Sequence, residues 1–246
     1  MPRLCSISKL SVPTVSAEQM REVDRLMEEQ YDVALLQMME NAGRNLAHLA
    51  RRRYFDGDAR SRQILVLAGS GGNGGGGLVC ARRLHNWGAD VRVWLTKPAD
   101  ELGAVPRRQL GILEAMGVPV TIAIGGVDLP AAGLVVDAII GYSLSGAPTG
   151  SAAVLVAAAN GHHAPVLSLD TPSGLDTSTG VPREPAIRAD ATMMLALPKT
   201  GLLATAAADH VGELYLADIS VPPALYSAMG ITVGPIFARC DVVRLT

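Results

Sequence analysis

The side chains that could do chemistry gather in three short stretches. The first is Gly69-Ser70-Gly71-Gly72-Asn73-Gly74-Gly75-Gly76-Gly77, seven glycines in nine residues, directly after the apolar run Ile64–Ala68. Glycine loses more chain entropy on ordering than any other residue, and a simple turn needs one or two. So many at a strand-to-helix junction point to close backbone approach to an anion. Free N–H groups at a helix N-terminus, expected at Leu78, would face a phosphate or pyrophosphate. Gly69-x-Gly71-x-x-Gly74 matches the dinucleotide fingerprint in form. The acid that should end the next strand is missing, however: that strand ends in Leu95-Thr96-Lys97, and Asp90 sits at its start. No Gly-Lys-Ser/Thr follows, which excludes a P-loop.

The second stretch is Val135-Val136-Asp137-Ala138-Ile139, followed by the hydroxyl-rich loop Gly141-Tyr142-Ser143-Leu144-Ser145-Gly146. A carboxylate inside an apolar strand is costly unless paired or metal-bound. Asp137 therefore either meets a metal or ligand, or hydrogen-bonds a neighbouring loop. The third is Asp170-Thr171-Pro172-Ser173-Gly174-Leu175-Asp176 at the carboxyl end of Val166–Leu169. Ligands of open parallel sheets collect at such ends, which favours a functional Asp170 over a simple Asx-turn before proline. Asn73, Asp137 and Ser173 together offer only oxygen ligands, suited to a hard cation and not to zinc. The five histidines show no ligand spacing, and His162-His163 is expected at the surface. With no Gly-x-Ser-x-Gly elbow, no His-Glu-x-x-His and no paired Cys and His, nucleophilic hydrolysis is poorly supported. Carboxylate acid–base chemistry on a phosphate-bearing ligand is better supported.

Positioning these residues requires a doubly wound sheet. Ile64–Ala68, Val91–Leu95, Val118–Ala123, Leu134–Ile140, Val166–Leu169, Thr192–Leu197 and Leu214–Ala217 are continuous apolar runs, as in strands buried on both faces. Helical patterns near Gly77–Trp87, Arg107–Met116 and Ser151–Asn160 separate them. Upstream, Ser16-Ala17-Glu18-Gln19 has the form of a capping box. A second helix, with Leu36, Met39, Gly43, Leu46, Ala47 and Ala50 on one side, ends in Arg51-Arg52-Arg53, expected as a solvated helix end. Residues 1–15 are expected as a loose arm and 16–246 as one domain, with no linker or internal repeat.

Composition narrows the class. The 246 residues carry a formal net charge of −2 and 4% aromatics, which argues against a nucleic-acid footprint. At 49% hydrophobic and 18% charged, the chain is not disordered. No run reaches the ~18 apolar residues of a membrane span, and the first residues lack a signal peptide's apolar core. The three cysteines, Cys5, Cys80 and Cys240, stand far apart and are expected as reduced thiols, hence a cytoplasmic protein.

Several ordered motifs then resemble the YjeF N-terminal domain family, the NAD(P)H-hydrate epimerases. They are Gln19-Met20-Arg21-Glu22-Val23-Asp24, Met39-Glu40-Asn41-Ala42-Gly43-Arg44, the glycine loop with Gly77-Leu78-Val79-Cys80-Ala81-Arg82, and Val136-Asp137-Ala138-Ile139. Asp170–Asp176, Leu197-Pro198-Lys199-Thr200-Gly201-Leu202, Val211-Gly212-Glu213-Leu214 and Ala217-Asp218-Ile219 complete the set. The resemblance implies a three-layer αβα Rossmann-like fold with a mostly parallel central sheet, usually dimeric. It implies an isomerase that interconverts the R and S forms of hydrated NADH and NADPH, which carry a hydroxyl on C6 of the nicotinamide ring. A separate dehydratase specific for one epimer would then repair both. By motif position, a potassium ion would be held by Asn73, Asp137 and Ser173. Substrate would be lined by Gly72, Asn73, Gly74, Gly75 and Gly76, and by Gly141, Tyr142, Ser143, Leu144, Ser145, Gly146 and Ala147. Asp170 would contact the reacting ring as the acid–base. The sequence departs from the family loop Gly-Asn-Asn-Gly-Gly-Asp-Gly at Gly72 and Gly76, which stand where that loop has Asn and Asp. That departure leaves a non-catalytic ligand-binding or scaffold module of the same fold as the alternative. An ordinary NAD-dependent oxidoreductase is disfavoured by the missing acid after the second strand.

Overall fold

A computed structural model describes residues 5–246. Its centre is a nine-stranded sheet built from β1 (Cys5–Ile7), β2 (Gln63–Ala68), β3 (Asp90–Leu95), β4 (Val120–Ile122), β5 (Leu134–Ala138), β6 (Val166–Leu169), β7 (Ala191–Leu195), β8 (Glu213–Ala217) and β9 (Val242–Leu245). The spatial order is β1-β9-β8-β7-β6-β5-β2-β3-β4, and every neighbouring pair is parallel except β8 with β9. The helices are α1 (Ala17–Glu29), α2 (Leu35–Tyr54), α3 (Gly72–Asn86), α4 (Ala104–Ala115), α5 (Gly150–Asn160), α6 (Ala208–Val211) and α7 (Pro223–Ala228).

Strand alternation divides the core. Ile64, Val66 and Ala68 of β2 pack with α2, α3 and α4 on one face, while Leu65 and Leu67 pack with α5 on the other. Over the β7–β9 region that second face is covered by α1 and α7. This is the expected three-layer αβα arrangement. Strand alternation also sends Asp137 and Ser168, cross-strand partners on β5 and β6, to the same side.

The α1 start is as expected: Ser16 Oγ accepts from the Gln19 N–H, and the Gln19 side chain accepts from the Ser16 N–H. Three expectations are corrected. Residues 5–15 are not a loose arm. β1 pairs with β9, and Val15 is fully buried beside Lys199, its N–H donating to Pro198 O at 2.9 Å. Strands this short carry little pattern in sequence, so β1 and β9 went unread; Met1–Leu4 of the expected arm lie outside the described residues. Second, Cys5 and Cys240 form a disulfide with Cα atoms 6.3 Å apart, and only Cys80 among the described cysteines is free and buried. The β1–β9 pairing brings together residues 235 apart in sequence, a proximity that cysteine spacing cannot reveal. Third, Arg51–Arg53 is not simply solvated: Arg51 lies over the Trp87 ring at 4.1 Å, and Arg53 pairs with Glu213.

Candidate active site

A cavity of about 980 Å³ opens along the carboxyl ends of the strands, bounded by the loops after β2, β3, β5, β6 and β7 and by α1 and α2. Its position obeys the switch-point rule for open parallel sheets. Among the described residues, no helix is long and apolar enough to cross a membrane, and no group of three or more His, Cys, Asp or Glu is placed to hold a metal.

The glycine segment is mostly helix. α3 begins at Gly72, six residues before the expected Leu78, with Gly71 as its N-cap. Packing explains why the run is needed. A Cβ on Gly75 would strike the Met39 sulfur, one on Gly77 would sit 2.5 Å from Ala138 Cβ, and one on Gly76 would sit 2.7 Å from Leu169 Cδ2. Gly43 of α2 likewise faces Val79 and the Gly76 carbonyl with no room for a side chain. The later glycines therefore seat α3 against β5, β6 and α2. Gly75 N bonds Gly71 O at 3.1 Å, which closes the first turn and leaves the N–H groups before it without intrahelical partners. Of the expected substrate-lining residues, Gly72, Asn73 and Gly76 border the cavity, whereas Gly74 and Gly75 do not. From the β5 loop Gly141, Tyr142 and Ser143 border it; Leu144, Ser145, Gly146 and Ala147 do not, and the last three are exposed.

Asp170 follows β6 with φ of +65°, a left-handed conformation uncommon outside glycine that a short polar side chain tolerates best. It lies two strands from β2, not adjacent to the glycine segment, yet Leu169 still touches Gly76 across the edge of β5. Its carboxylate is 3% exposed as a residue and accepts from three donors: Tyr142 N–H at 3.3 Å, Leu195 N–H at 3.3 Å and the Lys199 ammonium. Lys199 is wholly buried and also donates to Leu195 O at 3.0 Å. Taking an ammonium out of water is expensive without a close anionic partner, so this pair is arranged for a purpose. Sequence reasoning met Lys199 only inside a motif; its signal was a lysine at the end of the apolar run Met193–Pro198.

A further group was missed, and it meets the expected Tyr142. Asp24, on α1, borders the cavity. Tyr142 donates its hydroxyl to Asp24 Oδ2 at 2.5 Å, and its ring lies 5.7 Å from Lys199 Nζ. Burial pushes the Asp24 carboxyl above its ordinary pKa, partly offset by the Tyr142 hydrogen bond and the Lys199 charge. Burial and the adjoining Asp24 raise the Tyr142 phenol. Asp24 lies inside a helical stretch otherwise patterned by Met20, Val23 and Met27, so periodicity assigned it to the solvent face.

The expected cation ligands meet in part. Asp137 is completely buried; its carboxylate accepts from Ser173 Oγ, Ser173 N–H at 2.9 Å, Ser168 Oγ at 2.8 Å and Ile139 N–H at 3.2 Å. All four donors are neutral, and burial raises its pKa. The Asn73 amide nitrogen is buried without a partner, and this side chain lies against Gly141. The oxygens of Asp137, Ser173 and Asn73 are the ligand type a hard cation takes, Asn73 through its Oδ1, while its unpartnered nitrogen is a donor and not a ligand.

Comparisons with known proteins agree with this geometry. The family model described as YjeF-related protein N-terminus matches residues 35–201. A protein of Dehalogenimonas lykanthroporepellens named NAD(P)H-hydrate epimerase is 43% identical over 230 residues, covering 92% of this chain and 87% of its own. A Rhodopirellula baltica protein of the same name is 34% identical, covering 87% and 86%. The Moorella thermoacetica bifunctional NAD(P)H-hydrate repair enzyme is 37% identical, and the match covers 86% of this chain but only 41% of that protein. The crystal structure of yeast ynu0, YNL200c, superposes with a TM-score of 0.81 at 25% identity, covering 95% of this chain and all of the yeast chain. By motif, fold and sequence, the chain belongs to the YjeF-related N-terminal family.

Proposed function

We propose that the chain is an NAD(P)H-hydrate epimerase, an isomerase that interconverts the R and S hydrates of NADH and NADPH. The observation that carries the reading is the buried Asp170–Lys199 pair at the strand-end cavity of a chain this similar to proteins named for that activity. The α3 N-terminus offers N–H groups to the pyrophosphate. Asp170 takes or returns the proton at the nicotinamide ring as water and hydroxyl exchange at C6. Asn73, Asp137 and Ser173 would hold a potassium ion, which supplies positive charge beside the loops that carry the substrate phosphates. The chain works as a homodimer beside a separate dehydratase that consumes one epimer. The cytoplasm is proposed as its compartment on substrate grounds alone, because the paired Cys5 and Cys240 remove the thiol argument.

Gly72 has open space where a Cβ would point, so the asparagine of the family loop is absent without leaving a packing defect. Gly76 backs onto Leu169 instead of offering a carboxylate. The test supplies mixed hydrates to a dehydratase specific for the S form, lets it exhaust that form, and adds this protein in potassium or lithium chloride. A second phase of NADH appearance, faster than spontaneous epimerisation and faster in potassium, is the expected outcome. No acceleration by a folded chain overturns the reading in favour of a binding module.

A further inference from the structure

Asp170 accepts from Lys199 and two backbone N–H groups. The epimerase reading makes this carboxylate the proton acceptor. Expelling the C6 hydroxyl as water needs a donor. Epimerisation also needs chemistry on both faces of a flat ring, because the departing hydroxyl and the incoming water occupy opposite sides.

Two other carboxyls border the cavity among the described residues: Glu101, half exposed and paired with Lys97, and Asp24 on α1, in the helical layer and not at the strand ends. Tyr142 spans the gap: its backbone N–H binds Asp170 while its hydroxyl binds Asp24. The two carboxyls therefore stand about one tyrosine apart on different walls. Carboxyl pairs that flank a ring in this way divide leaving-group protonation from water activation.

The geometry points to Asp24 as the second catalytic group of this site: its protonated carboxyl serves the ring face opposite Asp170. This rests on the epimerase reading. In one direction the C6–O bond breaks, its electron pair leaves with oxygen, and that oxygen takes the Asp24 proton and departs as water. The ring nitrogen lone pair forms the C=N bond. Water adds to C6 from the other face, the C=N pair returns to nitrogen, and the surplus proton passes to the Asp170 carboxylate. Asp170 then releases its proton to solvent and Asp24 takes one up, which resets both groups; the opposite epimer runs the same steps in reverse.

The charged and titratable groups around Asp24 come from several elements. It is faced by Tyr142, by Lys199 and Asp170 from the loops after β7 and β6, by Glu28 one turn along α1, and by Tyr226 from α7; Arg21 lies near Tyr142. Desolvation is the largest influence and favours the neutral carboxyl, while Tyr142 and Lys199 oppose it. Deprotonation of Asp24 then sets the alkaline limb of the rate profile. Removing the Tyr142 hydroxyl deletes a bond that stabilises the anion, so Tyr142→Phe moves that limb to higher pH.

The experiment measures kcat, KM and the pH profile of wild type, Asp24→Asn and Tyr142→Phe in the coupled assay, with circular dichroism to check the fold. Asp24→Asn is expected to lower kcat by about 10² or more with KM little changed. Tyr142→Phe is expected to lose less than about tenfold, with its alkaline limb shifted upward. Asp24→Asn activity within about threefold of wild type, or an unmoved limb in Tyr142→Phe, overturns the assignment while leaving the epimerase reading intact. Should Asp24→Asn fail to fold, the limb in Tyr142→Phe decides. An inactive wild type overturns both.

Discussion

At the scale of single residues, the site turns on a lysine and an aspartate almost wholly buried at the cavity wall. Lys199 is 0% exposed and the Asp170 side chain 4%. A pair at this depth contributes little net stability, because desolvation offsets attraction, but removing one partner leaves the other charge unpaired. Lys199→Met or Asp170→Asn alone should therefore cost about 3–5 kcal/mol. The double variant should cost less than the sum, with a coupling of about 1–3 kcal/mol in urea titrations. Additive losses would show that the two groups do not depend on each other. Asp170→Asn should also abolish epimerisation in whatever fraction remains folded, since it removes the proton acceptor. The Asp170 position was legible in sequence because strand-end carboxylates are rare and well placed. The roles of Lys199 and Asp24 were not, because their meeting with Tyr142 depends on two loops and one helix distant in the chain.

At the scale of elements, α3 is where expectation and structure part most informatively. Its glycines look in sequence like a flexible phosphate cradle, and its first turn does keep free N–H groups. Beyond that turn, glycine is required by neighbours: Ala138 behind Gly77, Met39 behind Gly75, Leu169 behind Gly76. Composition alone cannot separate a glycine that frees the backbone from one that admits a neighbour. The sheet itself was legible because strands covered on both faces are continuous apolar runs. Boundaries shifted where a run extended past its ladder, as at Leu134–Ile140 against β5 ending at Ala138. The two roles of glycine predict opposite responses. Gly77→Ala places a Cβ 2.5 Å from the Ala138 Cβ, which has no rotamer to move away, and should cost about 1–3 kcal/mol. Gly72→Ala, with open space, should be neutral or stabilise by about 0.5–1 kcal/mol through reduced chain entropy. Urea midpoints of the two variants decide; equal effects would mean that α3 is not seated by close packing.

At the scale of the whole molecule, the chain's beginning and end are joined at the sheet edge away from the glycine segment. β1 pairs with β9, and Cys5 is bonded to Cys240. From there the chain runs to Val15, whose N–H binds Pro198 O and whose carbonyl accepts from Thr200 N–H at 3.1 Å. These two bonds flank Lys199, so the segment expected as a loose arm holds the loop of the buried lysine. Its terminal staple and its inner clamp should be separable. Closing a long loop stabilises by restricting the unfolded chain, so reducing the disulfide should lower stability by about 2–4 kcal/mol. It should leave kcat at 25 °C unchanged, because β8 and β7 lie between β9 and the strand that carries Asp170. Removing residues 1–15 deletes the clamp as well. That variant, compared by circular dichroism and by the coupled assay at a temperature where it remains folded, should lose most of its activity. A truncated chain that folds and turns over like the full one would show that the Lys199 loop holds its shape without Val15, and that the first fifteen residues serve stability alone.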